Sequence, residues 1–222
     1  MRILVINPVG TDRWNESDRE IYGRFASKHT VIDVVSLEEG PESIENRIAE
    51  TKVLPLIVKK ALELHSKHEY DGIIVNCCLD PAVDVIRSAI KTPTVGPCQA
   101  SLALASVIGK KIGIVTVSKT APPLFEELVL KYRMENRVVS IRGIDLSVPE
   151  IDTDRAKTIA LLREEINNAI KDGADVIVLG CTGLAGFAEE LREFFDVSIL
   201  DPVACAVKIM EDIVELRGGY RE

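Results

Sequence analysis

The sequence predicts an α/β protein of two similar parallel-sheet subdomains related by a pseudo-twofold axis, with the active site between them. Three observations carry the prediction. Short continuous apolar runs recur, each ended by polar residues or glycine, as in strands buried on both faces of a parallel sheet. Stretches of helical periodicity separate those runs. The order of events then restarts near Lys110, so that Val5 matches Val115, Cys77 matches Cys181 and Pro97 matches Pro202, at offsets of 110, 104 and 105 residues.

In chain order, Ile3–Ile6 is a first strand that Asn7-Pro8-Val9-Gly10 ends in a polar loop. A helix is expected over Ser17–Lys28 and a strand over Val31–Val35. Gly40-Pro41 breaks the chain. Ser43–Lys67 has helical spacing, but Pro55 removes a backbone donor, so two helices or a kink are expected. Ile73–Val75 then leads into Asn76-Cys77-Cys78-Leu79-Asp80-Pro81, with Asp80 read as the N-cap and Pro81 as the first residue of the next helix. Thr94-Val95 is a short strand before Gly96-Pro97, and Ala100–Ile108 an apolar helix.

The second pass opens with Ile112–Val117, a helix after Pro122-Pro123, and a strand over Val138–Ile141. Thr153 is read as the cap of a long helix carrying Ile159, Leu162 and Ile166. Val176–Leu179 leads into Gly180-Cys181-Thr182-Gly183, and Val197–Leu200 reaches Asp201-Pro202. The final helix, Ala204–Leu216, runs into a loose tail at Gly218-Gly219-Tyr220. The expected domains are 1–97 plus 203–222, and 98–202.

Composition narrows the function. With 27 Lys and Arg against 35 Asp and Glu, the formal charge is −8. With no basic cluster, nucleic acid is an unsuitable partner. No apolar run approaches a membrane span, so a cytoplasmic protein with no membrane partner is expected. Five cysteines in a reducing compartment should remain thiols. No CxxC pair suggests zinc, no glycine fingerprint suggests a nucleotide, and His65 and His68 read as solvated helix residues. Cys205 and Cys98 read mainly as core.

The chemistry therefore centres on Cys77 and Cys181. Both lie just beyond a strand's carboxyl end, where ligands bind in open parallel sheets and helix N-termini present N–H groups. A thiol with a reference pKa of roughly 8.5 can be poised as thiolate base or thiol acid. Two of them facing one ligand could remove a proton from one face of a stereocentre and return it to the other. Cys78 competes with Cys77 for the role.

Ile6-Asn7-Pro8, Asn76-Cys77 with Asp80-Pro81, Gly113-Ile114-Val115-Thr116 followed by Phe125-Glu126-Glu127-Leu128, and Gly180-Cys181-Thr182-Gly183 together resemble the hydantoin racemase branch of the cofactor-independent aspartate/glutamate racemase superfamily. The likeness extends over nearly the whole chain. It implies Cys77 and Cys181 as the proton-transfer pair, with Asn7, Asn76, Cys78, Thr116, Ser118, Thr182 and Gly183 around a small-molecule substrate. It further implies no cofactor, no metal, 5-substituted hydantoins as substrates, and a homo-oligomer. Val9-Gly10 and Pro97-Cys98-Gln99-Ala100 depart from the family pattern. Two other readings stand beside this one. One is an aspartate or glutamate racemase, or a one-thiol decarboxylase or isomerase, on the same scaffold. The other is a non-catalytic cysteine-based ligand or redox sensor.

Overall fold

A computed structural model of the chain describes residues 1–218. The chain divides into two compact units. One comprises Met1–Ile44, Ile48–Pro97 and the chain from Val203; the other comprises Glu45–Arg47 and Cys98–Pro202. Each contains a four-stranded, wholly parallel sheet.

In the first unit the strands are β1 (Arg2–Asn7), β2 (Val31–Ser36), β3 (Gly72–Val75) and β4 (Thr94–Val95), in the spatial order β2-β1-β3-β4. Its helices are α1 (Asn15–Phe25), α2 (Arg47–Lys67, whose first residue groups with the other unit) and α3 (Val83–Ala89). The apolar runs are strands because both faces are covered. Leu4, Ile6, Ile73 and Val75 pack with Val53, Ile57 and Ala61 of α2, and all seven are fully buried. At roughly 1.5–3 kcal/mol per buried aliphatic side chain, this stripe outweighs the weak intrinsic preferences of the residues between.

In the second unit, α4 (Pro97–Ile108) precedes β5 (Ile112–Val117), α5 (Pro122–Lys131), β6 (Val138–Ile144), α6 (Arg155–Lys171), β7 (Val176–Leu179), α7 (Phe187–Leu191) and β8 (Ser198–Leu200). The sheet order is β6-β5-β7-β8, the same pattern as in the first unit. Leu162, Ile166 and Ala169 of α6 cover Val115, Val117, Ile177 and Leu179. The last helix, α8 (Pro202–Gly218), carries Glu211 and Met210 back to the first unit.

Four local expectations need correction. Pro55 lies inside one helix that continues past it, which removes the two-helix alternative. It is exposed, so the carbonyl that loses its donor can face water, while Val53, Ile57 and Ala61 hold the opposite face. The region 43–46 stays outside α2. The cap of α6 is Asp154, whose carboxylate accepts the Lys157 N–H at 3.0 Å; Thr153 instead donates to the Glu150 carbonyl at 2.7 Å. Asp80 is not a helix cap: it is a buried turn residue at φ +49°, and α3 begins after Ala82, at φ +61°. Of the expected tail, Gly218 ends α8, and Gly219 and Tyr220 lie outside the described residues.

Candidate functional site

All five cysteines are free thiols, and they separate by exposure. Cys77 and Cys181 are partly exposed, whereas Cys78, Cys98 and Cys205 are 2–4 % exposed. The two accessible thiols are those at matching strand ends.

In the first unit, β1 and β3 pair with Ile6 beside Val75, which brings Asn7 and Asn76 together at the carboxyl edge of the sheet. The Asn76 N–H donates to the Ile6 carbonyl at 2.9 Å, and the chain then turns sharply. The Cys77 N–H reaches the Val75 carbonyl at 2.8 Å, and the Asp80 N–H reaches the Cys77 carbonyl at 2.9 Å. Within this turn the Leu79 N–H points at Cys77 Sγ, 3.5 Å away. A backbone donor on sulfur favours the thiolate over the thiol.

Beneath the turn lies a polar network between residues far apart in sequence. Asn76 Nδ2 donates to Asn7 Oδ1 at 2.6 Å, and the Tyr22 hydroxyl donates to Asn76 Oδ1 at 2.8 Å. Asn7 Nδ2 donates to Asn15 Oδ1 and to Asp18 Oδ2, at 2.9 and 2.8 Å, and Asn76 Nδ2 also approaches Asp18 Oδ2 at 3.3 Å. Ser36 Oγ donates to Asn15 at 2.6 Å. Asn7 is 3 % exposed and Asn76 8 %. Both amide hydrogens of Asn7 are committed inside the unit, so its side chain braces the thiol turn from below.

The second unit reaches the same end differently. Val115 pairs with Leu179, and the Gly180 N–H donates to the Val115 carbonyl at 2.8 Å, as Asn76 does to Ile6. Thr116 takes the place of Asn7 and Gly180 that of Asn76. Thr116 is buried and its hydroxyl donates to the Gly180 carbonyl at 2.8 Å. A Cβ on Gly180 would lie 2.8 Å from Thr116 Cβ, so the close approach requires glycine. The Leu184 N–H closes the turn on the Cys181 carbonyl at 3.0 Å, matching Asp80 on Cys77. Thr182 is partly buried and Gly183 exposed, and a Cβ on Gly183 would lie 3.5 Å from Cys181 Sγ. Ser118, at φ +64°, shares a 2.8 Å hydrogen bond with Thr120 beyond the end of β5.

The structure thus gathers Asn7, Asn76, Cys77 and Cys78 at one sheet edge. Thr116, Cys181, Thr182 and Gly183 gather at the other, with Ser118 further along the β5 loop. Sequence reasoning missed Asp18 and Tyr22, because α1 reads as an ordinary polar helix; its one fully buried residue, Tyr22, was the available signal. Among the described residues no cluster of three metal-ligating side chains occurs, and no helix is long and apolar enough to cross a membrane.

Two parallel sheets flanked by helices, each with a cysteine turn at the carboxyl ends of its strands, place the chain among the open α/β proteins, whose ligands bind at strand carboxyl ends. The family model described as Asp/Glu/Hydantoin racemase matches residues 3–210, and the chain belongs to that family, a family of isomerases. A hydantoin racemase from Pseudomonas sp. (strain NS671) is 32 % identical over 217 residues, which are 97 % of this chain and 87 % of the relative. A hydantoin racemase from Rhizobium meliloti is 30 % identical over 99 % of this chain and 90 % of the relative. Among solved structures, an allantoin racemase from Pseudomonas fluorescens superimposes with a TM-score of 0.93 at 27 % identity, covering 98 % of this chain and 92 % of that one. A glutamate racemase from Francisella tularensis, at 17 % identity and a TM-score of 0.69 over 97 % of this chain and 81 % of that one, shares the fold.

Proposed function

We propose that this protein inverts a carbon stereocentre next to a carbonyl by cofactor-independent two-thiol proton transfer, acting on 5-substituted hydantoins. The observation that carries the reading is the exposure of Cys77 and Cys181, at matching strand ends, against the burial of the other three thiols. The names of the relatives support the substrate class: hydantoin and allantoin racemases act on a ring whose C5 proton is acidified by an adjacent carbonyl.

In this scheme one cysteine, as thiolate, takes the C5 proton and the negative charge spreads onto the adjacent carbonyl oxygen. The other cysteine, as thiol, gives its proton to the opposite face of C5. Substrate of the other hand reverses the roles, so each turnover leaves the thiol and thiolate exchanged. The Leu79 N–H supports the Cys77 thiolate, and backbone N–H groups of the two thiol turns supply donors for the developing enolate oxygen. Thr182 and Gly183 border the ring on the Cys181 side, and Asn7 and Asn76 act by holding the Cys77 turn. Five free thiols fit a reducing cytoplasm.

A panel of enantiopure 5-substituted hydantoins, allantoin, aspartate and glutamate, followed by loss of optical rotation, tests the substrate class. Racemisation of the cyclic compounds alone is expected. Turnover confined to the acidic amino acids would overturn the hydantoin assignment.

A further inference from the structure

Each unit holds one deeply buried aspartate next to its thiol turn, and the two arrive from opposite directions. In the first unit Asp80, three residues beyond Cys77, is 2 % exposed and in the left-handed region at φ +49°. Its carboxyl carbon lies so close to Gly96 that a Cβ there would sit 2.2 Å from it. Gly96 follows the edge strand β4 and immediately precedes α4, whose N-terminal end favours an anion.

In the second unit the carboxylate comes from the strand end, and it meets the chain at Gly186, the counterpart of Ala82 two residues beyond the counterpart of Asp80. The residue following edge strand β8 and preceding α8 is Asp201, 3 % exposed. Its Oδ2 accepts the N–H of Gly186 at 2.6 Å. Gly186, at φ +84°, begins α7 just as Ala82, at φ +61°, begins α3. The same join between thiol turn and edge strand is therefore made by a turn carboxylate against a strand-end glycine in one unit. In the other it is made by a strand-end carboxylate against a turn glycine.

We infer that Asp80 and Asp201 are positioning residues for the two proton-transfer thiols, each tying the chain around one thiol turn to the end of the edge strand of its own sheet. The inference rests on the two-thiol reading above. The other titratable groups near the Cys77 turn are Cys78 and Asp18, the latter under Asn76. Near the Cys181 turn they are Glu189 and Glu190 of α7, the latter paired with Arg155.

The test is the pH dependence of iodoacetamide alkylation at each cysteine, read peptide by peptide by mass spectrometry, in wild type, Asp80→Asn and Asp201→Asn. Asparagine keeps the size and tolerates the left-handed backbone at position 80. Asp80→Asn should move the Cys77 midpoint by about half a pH unit or more, because it loosens the turn that holds the Leu79 N–H on Sγ, and leave Cys181 unmoved. Asp201→Asn should do the reverse, by less, because its link runs through Gly186. In both, kcat on the best hydantoin of the panel should fall about tenfold or more with KM within about twofold, as for loss of alignment in the transition state. Gly96→Ala, which displaces the Asp80 carboxylate without changing any titratable group, should also move Cys77 alone, and decides the matter if Asp80→Asn does not fold. Midpoints that stay fixed, or that move together at both cysteines, overturn the inference. Full racemisation by Cys77→Ala would instead sink the two-thiol reading, whatever the aspartates do.

Discussion

Replacing Glu211 by glutamine should cost stability in a strongly pH-dependent way. Glu211 is 3 % exposed on α8 and is held by four donors: the Ser27 N–H at 2.7 Å, the Ser27 hydroxyl at 3.0 Å, the Thr30 hydroxyl at 2.6 Å and Lys208 Nζ at 2.8 Å. Burial alone would raise its pKa, but Lys208, Thr30 and Ser27 together outweigh this and bring it from 4.5 down to about 2. A carboxylate with a depressed pKa stabilises the fold fully above its unfolded value and loses that contribution as pH falls through the folded one. The difference corresponds to about 3 kcal/mol at pH 7, shrinking to about 1 kcal/mol at pH 3. Urea denaturation of wild type and Glu211→Gln at the two pH values measures it, because titration of every other group cancels in the comparison. The gap between the proteins should narrow by about 2 kcal/mol on acidification. A gap independent of pH would refute the assignment of Glu211 as the charged clamp between α8 and the α1–β2 connection.

Other substitutions test the scaffold beneath the thiols. Tyr22→Phe removes one donor to Asn76 and should cost about 1 kcal/mol in chemical denaturation, whereas Asn76→Ala strands several partners and should cost about 1–3 kcal/mol, with a fall in turnover that exceeds any change in KM. Gly180→Ala forces a Cβ to within 2.8 Å of Thr116 and should lower kcat at least about tenfold while the circular dichroism spectrum stays native. Gly72→Ala, aimed at buried Met210, should cost about 1–3 kcal/mol by overpacking, and Met210→Ala in the same chain should return part of it. Cys78→Ala should retain racemisation, since its buried thiol takes no proton in the scheme.

Much of this fold is legible in the sequence because its strands are buried on both faces. Ile3–Ile6, Ile73–Val75 and Val176–Leu179 show as unbroken apolar runs, Ile112–Val117 as one interrupted only by Gly113 and Thr116, and each ends where a polar residue or glycine must begin a loop. The thiol pair is legible because position relative to those runs repeats. Asp80-Pro81 misled for a physical reason: Asp followed by Pro is the usual opening of a helix, and only the packing of Asp80 against Gly96 turns it into a left-handed corner. Asn7, Asp18, Tyr22 and Asn76 form a network across separations of 11 to 69 residues, and such hydrogen bonding leaves no periodic trace. Pro55 is tolerated because of the face it occupies, which depends on where the buried stripe of α2 falls.

The central claim is that Cys77 and Cys181 exchange protons with one stereocentre from its two sides. Racemisation of each enantiomer in deuterium oxide, followed by chirality and by loss of the C5 proton in wild type, Cys77→Ala and Cys181→Ala, tests it most directly. In wild type, initial product should carry deuterium while remaining substrate keeps its proton. Each variant should lose racemisation by about a hundredfold or more, yet still exchange the proton of the one enantiomer whose base remains. Racemisation at the wild-type rate by either single variant would contradict the account.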